Sequence, residues 1–493
     1  MGVEMLADNY ANKGLTISSD VLERKCLKLA ENYDKSNAFE MEDYSRKYEG
    51  QFFSMYQYRY GILKERVLQN AMARWGDGKK KIDGQVVIKK DKILDISSGQ
   101  LCWVVGTIYT EMKNKLNILQ DVEMGVDDVL PEIPESYVDQ ESDEMPIVMI
   151  EDESGRAVLH NDDFLKKNIL VTGCIVAILG IEIQAGIFEI MDVVYPAMSP
   201  QKPLPPPSDQ PRKIAFVSGL NLRDYANSEL SVELLKQYLA GELGSDADKE
   251  YVAQISHLVM AGDSISCINT SDNDNSNNNY GSKNTSKFSP ESLELFDQFI
   301  QSVLPSMPIS VMPGLNDPAE ICLPQQKMHR SIFHKSKQYV NSPSLRILTN
   351  PAWIEFENSG LRFLGTSGQN ISDIRKYLTK DIATSADIDM RIMENTVKWQ
   401  NIVPTAPDTL YCYPFDNSDP FTLVTETPHV YFAANQSSFS CKTITLPHTE
   451  QSNKNTQDST VTLITIPCFS TTGQIVVLDL QSLTCEAISI FAT

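Results

Sequence analysis

Any chemistry in this chain of 493 residues would have to come from a few side chains placed just past apolar runs. Asp263 follows the run His257-Leu-Val-Met-Ala261 and the turn residue Gly262, with Ser266 a little further on. Asn316 and Asp317 follow Ile309-Ser-Val-Met312 and the strong turn signal Pro313-Gly314. A third run, Ile214-Ala-Phe-Val217, leads into Ser218-Gly219-Leu220-Asn221. Carboxylates at strand ends suit divalent cations that assist hydrolysis. Two such ions, about 3.5–4 Å apart, need several carboxylate and imidazole ligands to share them. Asp263 and Asp317 are too few, and none of the six histidines stands in an Asp-x-His, Asn-His or His-x-His pair. Ordinary strand-end turns are the plainer reading of the same residues.

A sheet is needed to bring these positions together, and the sequence between them supplies one. Residues 227–243 place Leu230, Leu234 and Tyr238 at helical spacing. Ser289-Pro290-Glu291 reads as an N-cap followed by proline at the first helical position, with Leu293, Phe296, Ile300 and Val303 on one face. Strands alternating with helices imply right-handed crossovers and a parallel sheet. The three loop tips should then meet at the carboxyl edge, where open α/β sheets bind ligands.

This frame resembles the calcineurin-like metallophosphoesterases. Their ligand motifs are Asp-x-His, then Gly-Asp-x-x-Asp, then Gly-Asn-His-Asp or Glu, with a later His-x-His. The first reads Ser218-Gly219-Leu220 here. The second keeps Gly262-Asp263 but has Ser266 in place of its last Asp, and the third reads Gly314-Leu315-Asn316-Asp317, with no histidine. Ala434-Asn435-Gln436 stands where the last motif would fall, while His429 lies earlier and reads as a structural hydrogen-bonder. The resemblance implies an inherited sheet that has lost its metals. Its former metal positions are Ser218, Leu220, Asp263, Ser266, Asn316, Asp317 and Asn435, and no cofactor is expected. An active phosphoesterase with an unusual ligand set is the rival, resting on Asp263 and Asp317 with Asn316 and Asn435.

The rest of the chain divides by composition and period. Residues 1–35 are polar and read as flexible. In residues 36–83 a stripe of Phe52, Tyr56, Tyr60, Leu63, Val67 and Ala71 recurs at helical steps. Such a stripe packs on the body or on a partner, and Tyr56 and Tyr60 are the candidate partner contacts; the tyrosines and Arg59 could instead stack bases. Residues 84–195 change to short strands, expected over 85–90, 101–112, 146–150, 157–160, 169–179 and 186–194, which suggests a small barrel. Residues 121–144 within it carry Asp and Glu but no Lys or Arg, and read as an exposed, flexible acidic loop. Residues 196–211 are proline-rich and read as a stiff linker. Residues 212–493 hold the sheets, interrupted by an Asn/Ser/Asp-rich insert over 270–287 that reads as disordered. Residues 353–356 and 361–365 read as a hairpin-like pair, and residues 429–433, 441–446, 461–466 and 474–480 as strands of a second sheet.

Composition narrows the function. The net charge of −22 makes the chain a poor binder of nucleic acid on its own, and Lys79-Lys-Lys81 is too short a basic run to change that. Nine scattered cysteines without a Cys-x-x-Cys pair fit reduced, mostly buried thiols inside the cell. The most apolar stretch, residues 169–183, is too short for a membrane span and holds Gly and Glu. There is no P-loop, Gly-x-Ser-x-Gly or His-Glu-x-x-His.

A set of short strings carries a closer resemblance. They are Arg66-Val67-Leu68, Leu94-Asp95-Ile96, Glu151-Asp-Glu-Ser-Gly-Arg156, Val217-Ser-Gly-Leu-Asn221, Asn316-Asp317-Pro318, Leu323-Pro-Gln-Gln326, Lys398-Trp-Gln-Asn401, Pro404-Thr-Ala-Pro-Asp-Thr409 and Pro428-His-Val-Tyr431. From residue 36 onward they resemble the small (B) subunits of DNA polymerase delta in their fungal version. That resemblance implies an OB-fold barrel joined to a two-sheet calcineurin-like sandwich flanked by helices, in a nuclear, non-catalytic scaffold subunit. The implied partners are the cysteine-rich C-terminal domain of the polymerase delta catalytic subunit, a third subunit that carries a sliding-clamp motif, and the polymerase zeta catalytic subunit. Contact with DNA would be indirect. A single-strand-binding barrel is the remaining rival; Trp103, Tyr109 and Phe188 are its available aromatics.

Overall fold

The computed structural model describes residues 23–490 apart from 32, 42–45, 48, 83, 116–133, 140–144, 207–211, 224–229, 267–287, 341 and 447–457. The insert expected over 270–287, and most of the acidic loop expected over 121–144, lie outside the described residues.

The chain first forms a long helix, α1 (Phe53–Trp75), which buries Met55, Arg59, Leu63, Val67, Ala71 and Trp75. Its stripe thus runs one residue out of phase with the expected one in the first two turns. Tyr56 and Tyr60 lie on its flank, half-buried, and Arg59 is inside rather than available to stack on a base.

A two-stranded ribbon, β1 (Lys81–Ile82) with β2 (Gln85–Val86), follows, and then the barrel. The barrel strands are β3 (Ile88–Lys89), β4 (Leu101–Glu111), β5 (Ile147–Glu151), β6 (Arg156–His160), β7 (Ile175–Gln184) and β8 (Ile187–Val194). Their order β3-β4-β5-β6-β8-β7 closes on itself because β4 also pairs with β7, from Leu101 opposite Ile181 to Thr107 opposite Ile175. This is the five-stranded ring of an OB fold, with β3 as an added edge. Residues 169–174, expected in a strand, are a turn instead: Gly173 is left-handed at φ +90, which a strand cannot hold. A short helix, α2 (Asp162–Lys167), precedes them, capped by the Asn161 side chain accepting from Phe164 N.

Both faces are buried along most of β4 and over the first six residues of β7. Cys102, Val104, Ile108, Val176 and Ile178 point into the barrel. Leu101, Trp103, Val105, Ile175, Ala177 and Leu179 point outward against Leu63, Val67, Ala71 and Trp75 of α1. Neither strand therefore shows the polar alternation of a wetted sheet.

Two sheets make up the rest. The first runs β12-β11-β10-β9-β18-β19. Its parallel core is β9 (Lys213–Val217), β10 (Ile255–Ala261), β11 (Ile309–Met312) and β12 (Leu345–Ile347), extended antiparallel by β18 (Gln474–Asp479) and β19 (Cys485–Ser489). The second runs β13-β14-β15-β17-β16, from β13 (Ala352–Glu355), β14 (Arg362–Thr366), β15 (Val430–Gln436), β16 (Ser440–Leu446) and β17 (Ser459–Pro467). Gln474–Asp479 thus belongs to the first sheet, not the second: it pairs with β9, so the chain crosses the sandwich after β17.

Phe216, Val259, Met312, Ile354, Phe363, Phe432 and Ile464 fill the layer between the sheets, with the Phe216 and Phe432 rings 5.0 Å apart. Helices α3 (Leu230–Ala240), α4 (Asp246–Ala253) and α5 (Pro290–Val303) lie on the outer side of the first sheet. In α3 the buried face is Val232, Leu235 and Leu239, one step round from the expected stripe, and Leu230 is 60% exposed. Helix α5 keeps its expected start: the Ser289 side chain accepts from Glu291 N and Pro290 opens the helix. The outer side of the second sheet is covered by α6 (Gln369–Arg375), α7 (Lys380–Ala383) and α8 (Ile388–Lys398), and its core runs on into the barrel interior.

Helix α1 also ties barrel to sheets. Arg59 pairs with Asp419 at 2.6 Å and donates to the carbonyls of Pro404 (2.9 Å) and Ala406 (3.0 Å), all out of water. Arg66 donates to Gln400 Oε1 at 2.8 Å. The described part of the proline-rich segment is strapped to the body: Ser199 N donates to Gln400 Oε1 at 2.8 Å, and Gln201 Nε2 to the carbonyls of Pro428 and Thr460 at 2.9 and 2.7 Å. The described part of the acidic loop is likewise docked. Tyr137 and Val138 are buried, and the Tyr137 hydroxyl donates to Asp373 Oδ1 at 2.7 Å.

Candidate functional site: the carboxyl edge of the first sheet

The three strand-end loops do converge. Strands β9, β10 and β11 lie side by side and parallel, so the turns after Val217, Ala261 and Met312 share one edge. The end of β15 meets them from the second sheet through Asn435.

At the first loop, Ser218 is buried. Its hydroxyl donates to the Pro467 carbonyl at 3.1 Å and accepts from Asn435 N at 3.0 Å. Gly219 is left-handed at φ +62, and a Cβ there would stand 2.4 Å from Cys468 Sγ. Leu220 turns into the apolar layer under α3 and α5. The loop that would have to offer two ligands therefore offers a hydroxyl already bonded on both sides and an aliphatic chain.

At the second and third loops the carboxylates face backbone amides. Asp263, itself left-handed at φ 52, accepts from Asn316 N at 2.8 Å. Asp317 accepts from Ser264 N (2.9 Å) and Ile265 N (3.0 Å) on one oxygen and from Gly314 N (2.8 Å) on the other. Burial, and then the charge of Asp263, push the Asp317 pKa up to about 7 against the pull of those three amides. Burial raises Asp263 as well. Gly314 lets the two loops touch: a Cβ there would lie 2.3 Å from Asp263 N. The N–H of Ser266 donates to the Leu222 carbonyl at 3.0 Å.

A group of neutral amides fills the space beside the carboxylates. Asn350 Nδ2 lies 2.8 Å from Gln325 Oε1, 2.6 Å from Ser367 Oγ and 2.7 Å from Gln369 Oε1, and Asn350 Oδ1 accepts from Ser367 N at 3.0 Å. Gln325 Nε2 donates to the Gly314 carbonyl at 3.0 Å, and Asn435 Nδ2 to the Ser367 carbonyl at 2.9 Å. The string Leu323-Pro-Gln-Gln326 is a sequence signal for Gln325; Asn350, Ser367 and Gln369 carry no spacing that marks them. A cavity of about 190 Å³ remains, lined by Asp263, Leu315, Ser367, Asp373, Tyr411 and Asn435 among others. His429 sits away from it: its Nδ1 accepts from Arg362 N at 2.9 Å and its Nε2 lies 2.8 Å from the Lys202 carbonyl, the structural role expected. Among the described residues, no three His, Cys, Asp or Glu side chains group as metal ligands would.

The barrel's aromatics are similarly engaged. Trp103 and Phe188 are buried, and Trp103 Nε1 donates to the Gly76 carbonyl at 2.8 Å. Tyr109 is half-buried, with the Arg156 guanidinium 4.7 Å above its ring.

A closed five-stranded barrel thus packs on a two-sheet sandwich whose strand-end amides and carboxylates are locked together, and each of these two parts matches a family model of DNA polymerase B-type subunits. Residues 214–441 match the family model for the B subunits of DNA polymerases alpha and epsilon, and residues 51–193 that for the DNA polymerase delta subunit OB-fold domain. The chain is 38% identical over 488 residues to the DNA polymerase delta small subunit of Saccharomyces cerevisiae, covering 93% of each. It is 34% identical over 400 residues to that of Arabidopsis thaliana, covering 81% of this chain and 84% of the relative. It is 30% identical over 443 residues to DNA polymerase delta subunit 2 of Drosophila melanogaster, covering 90% of this chain and 94% of the relative. The chain belongs to the DNA polymerase delta small subunit family. Among its described residues no helix is long and apolar enough to cross a membrane.

Proposed function

We propose that this chain is a non-catalytic scaffold of the polymerase delta holoenzyme in DNA replication and repair. The observation that carries the reading is similarity to polymerase delta small subunits along nearly the whole chain, 93% of it in the yeast case. In this role the chain holds the cysteine-rich C-terminal domain of the catalytic subunit on one side and a third, sliding-clamp-binding subunit on the other. It serves the polymerase zeta catalytic subunit in the same way. It works in the nucleus and reaches DNA through its partners, as a net charge of −22 favours. An obligate interface of this kind buries roughly 2,000 Å² or more. The half-buried flank of α1, with Tyr56 and Tyr60, is our candidate for part of it.

The strand-end site supports the non-catalytic half of the reading. The calcineurin-like sandwich implies a pair of divalent ions, and the donor set here does not fit one. Asp317 has both oxygens bonded to backbone amides, Ser218 is bonded on both sides, and Leu220 cannot ligate.

Affinity purification of the tagged chain from its native cells, with a high-salt wash, tests the proposal. A large B-family polymerase chain and one small partner are expected to stay bound. A chain that comes off alone, carrying stoichiometric manganese or zinc and a phosphoesterase activity lost in Asp263→Ala, would overturn it. Replacing Tyr56 and Tyr60 together by alanine should weaken complex formation while the fold persists; an intact complex removes that patch from the interface.

A further inference from the structure

We propose that Cys441 and Cys485 form a peroxide-responsive thiol pair, a modification site at the rim of the sandwich where oxidation joins one sheet to the other by a disulfide. Strand β16 is the outer strand of the second sheet and β19 the outer strand of the first. Residues directly opposite one another on antiparallel strands project from the same face. Cys441 stands opposite Ile464 and Cys485 opposite Leu478. Ile464 and Leu478 both belong to the apolar layer between the sheets, so each cysteine enters that layer from its own edge strand, and both pack against it. There the thiol and backbone amide of Cys485 lie within reach of the Cys441 sulfur.

Accessibility and chemistry agree with this placement. Both cysteines are partly exposed, whereas Cys102, Cys174 and Cys412 are buried. Burial pushes the pKa of Cys102 up to about 11 and that of Cys412 up to about 12, which keeps them as thiols. The hydrogen bond from Cys485 instead draws Cys441 below the ordinary thiol range, and Cys485 moves up in return. Cys441 is thus the attacking member and Cys485 the resolving one. The Cys441 thiolate attacks one oxygen of hydrogen peroxide: an S–O bond forms, the O–O bond breaks, and the departing hydroxide takes up a proton as water. Cys485 sulfur then attacks the sulfenic sulfur. An S–S bond forms, the S–O bond breaks, and the hydroxide leaves with the Cys485 proton as a second water. Both sulfurs are oxidised by one electron each and the peroxide is reduced to two waters.

The test is non-reducing peptide mapping of the full chain after micromolar hydrogen peroxide. The expected product is a Cys441–Cys485 linked peptide, two hydrogens lighter than the separate peptides and reversed by dithiothreitol. Its formation should raise the unfolding temperature, because the link closes a long loop across the two sheets. Cys485→Ser should stop at Cys441 sulfenic acid, trapped by dimedone. Cys441→Ser should yield no link and no rise in unfolding temperature on peroxide treatment. Two free thiols after treatment, Cys441 advanced to sulfinic acid without a link, or dimedone on a different cysteine in Cys485→Ser would each overturn the proposal.

Discussion

The barrel and the strand-end crevice are built on architectures that elsewhere present a binding face, and here each is closed by the chain's own residues through a different kind of interaction. The barrel is closed by apolar contact. Trp103 turns onto α1, its ring 5.9 Å from that of Trp75, and β4 and β7 are covered on both sides along most of their length. The crevice is closed by hydrogen bonds among Asp317, Asn350, Gln325, Ser367 and the loop amides. Apolar burial has no preferred direction and scales with area. A polar closure must pair each donor and acceptor at the right distance, or leave a buried group unsatisfied. The barrel should therefore be the more tolerant of shape-conserving change, and the crevice the more sensitive to a single atom and to pH.

Four substitutions or conditions would break or sharpen that contrast. Trp103→Ala has the largest expected effect: it should cost about 3–5 kcal/mol in chemical denaturation of the full chain, while Trp103→Phe should cost much less. If the two behave alike, area is not what closes the barrel. Gly314→Ala should cost about 1–3 kcal/mol despite adding one methyl group, because the added carbon meets backbone rather than a side chain that can swing aside.

The third is pH. Asp317 holds its proton to about 7 in the folded chain against an ordinary value of 3.8, so between those values the native state binds more protons than the unfolded one. Stability should accordingly fall as pH rises through that window, by at most roughly 1.4 kcal/mol per pH unit. The slope should flatten in Asp317→Asn and persist in Trp103→Phe. A slope unchanged in Asp317→Asn would place its origin elsewhere. The smallest effect is expected at Gly61, in the middle of α1, where an added methyl group would meet nothing within 4 Å: Gly61→Ala should stabilise by about 0.5–1 kcal/mol.

What could be read in the sequence follows the same divide. Strands β9, β10 and β11 were legible because each is a short apolar run with a glycine one or two residues past its end, and all four strands expected after residue 428 exist. The sheet to which Gln474–Asp479 belongs was not legible, since nothing local specifies that it pairs with β9 across the sandwich. The buried face of α3 was misplaced because Leu230 opens the helix and points to solvent. The arginine that locks α1 in place was hidden for a related reason: Arg59 is buried only because Asp419 and two carbonyls, far along the chain, meet it there. At the crevice the convergence of Ser218, Asp263, Asn316 and Asp317 was legible from strand order, the place of Asn435 came from the phosphoesterase resemblance alone, and what each side chain bonds to was not legible. Neutral amides such as Asn350 and Gln325 have no characteristic spacing, so their network appears only once the strands are in register.

Gly173 is worth following one step further. A Cβ on it would stand 2.0 Å from the carbonyl oxygen of Pro404, so the barrel's main chain meets that of the turn after α8 with no side chain between them. A joint made that way is a stop in one direction: the barrel cannot tilt toward that loop without driving one main chain into the other. What resists a pull at the same place is Arg59, bonded to the carbonyls of Pro404 and Ala406, so contact and hydrogen bonds oppose opposite displacements, as in a strut rather than a tether.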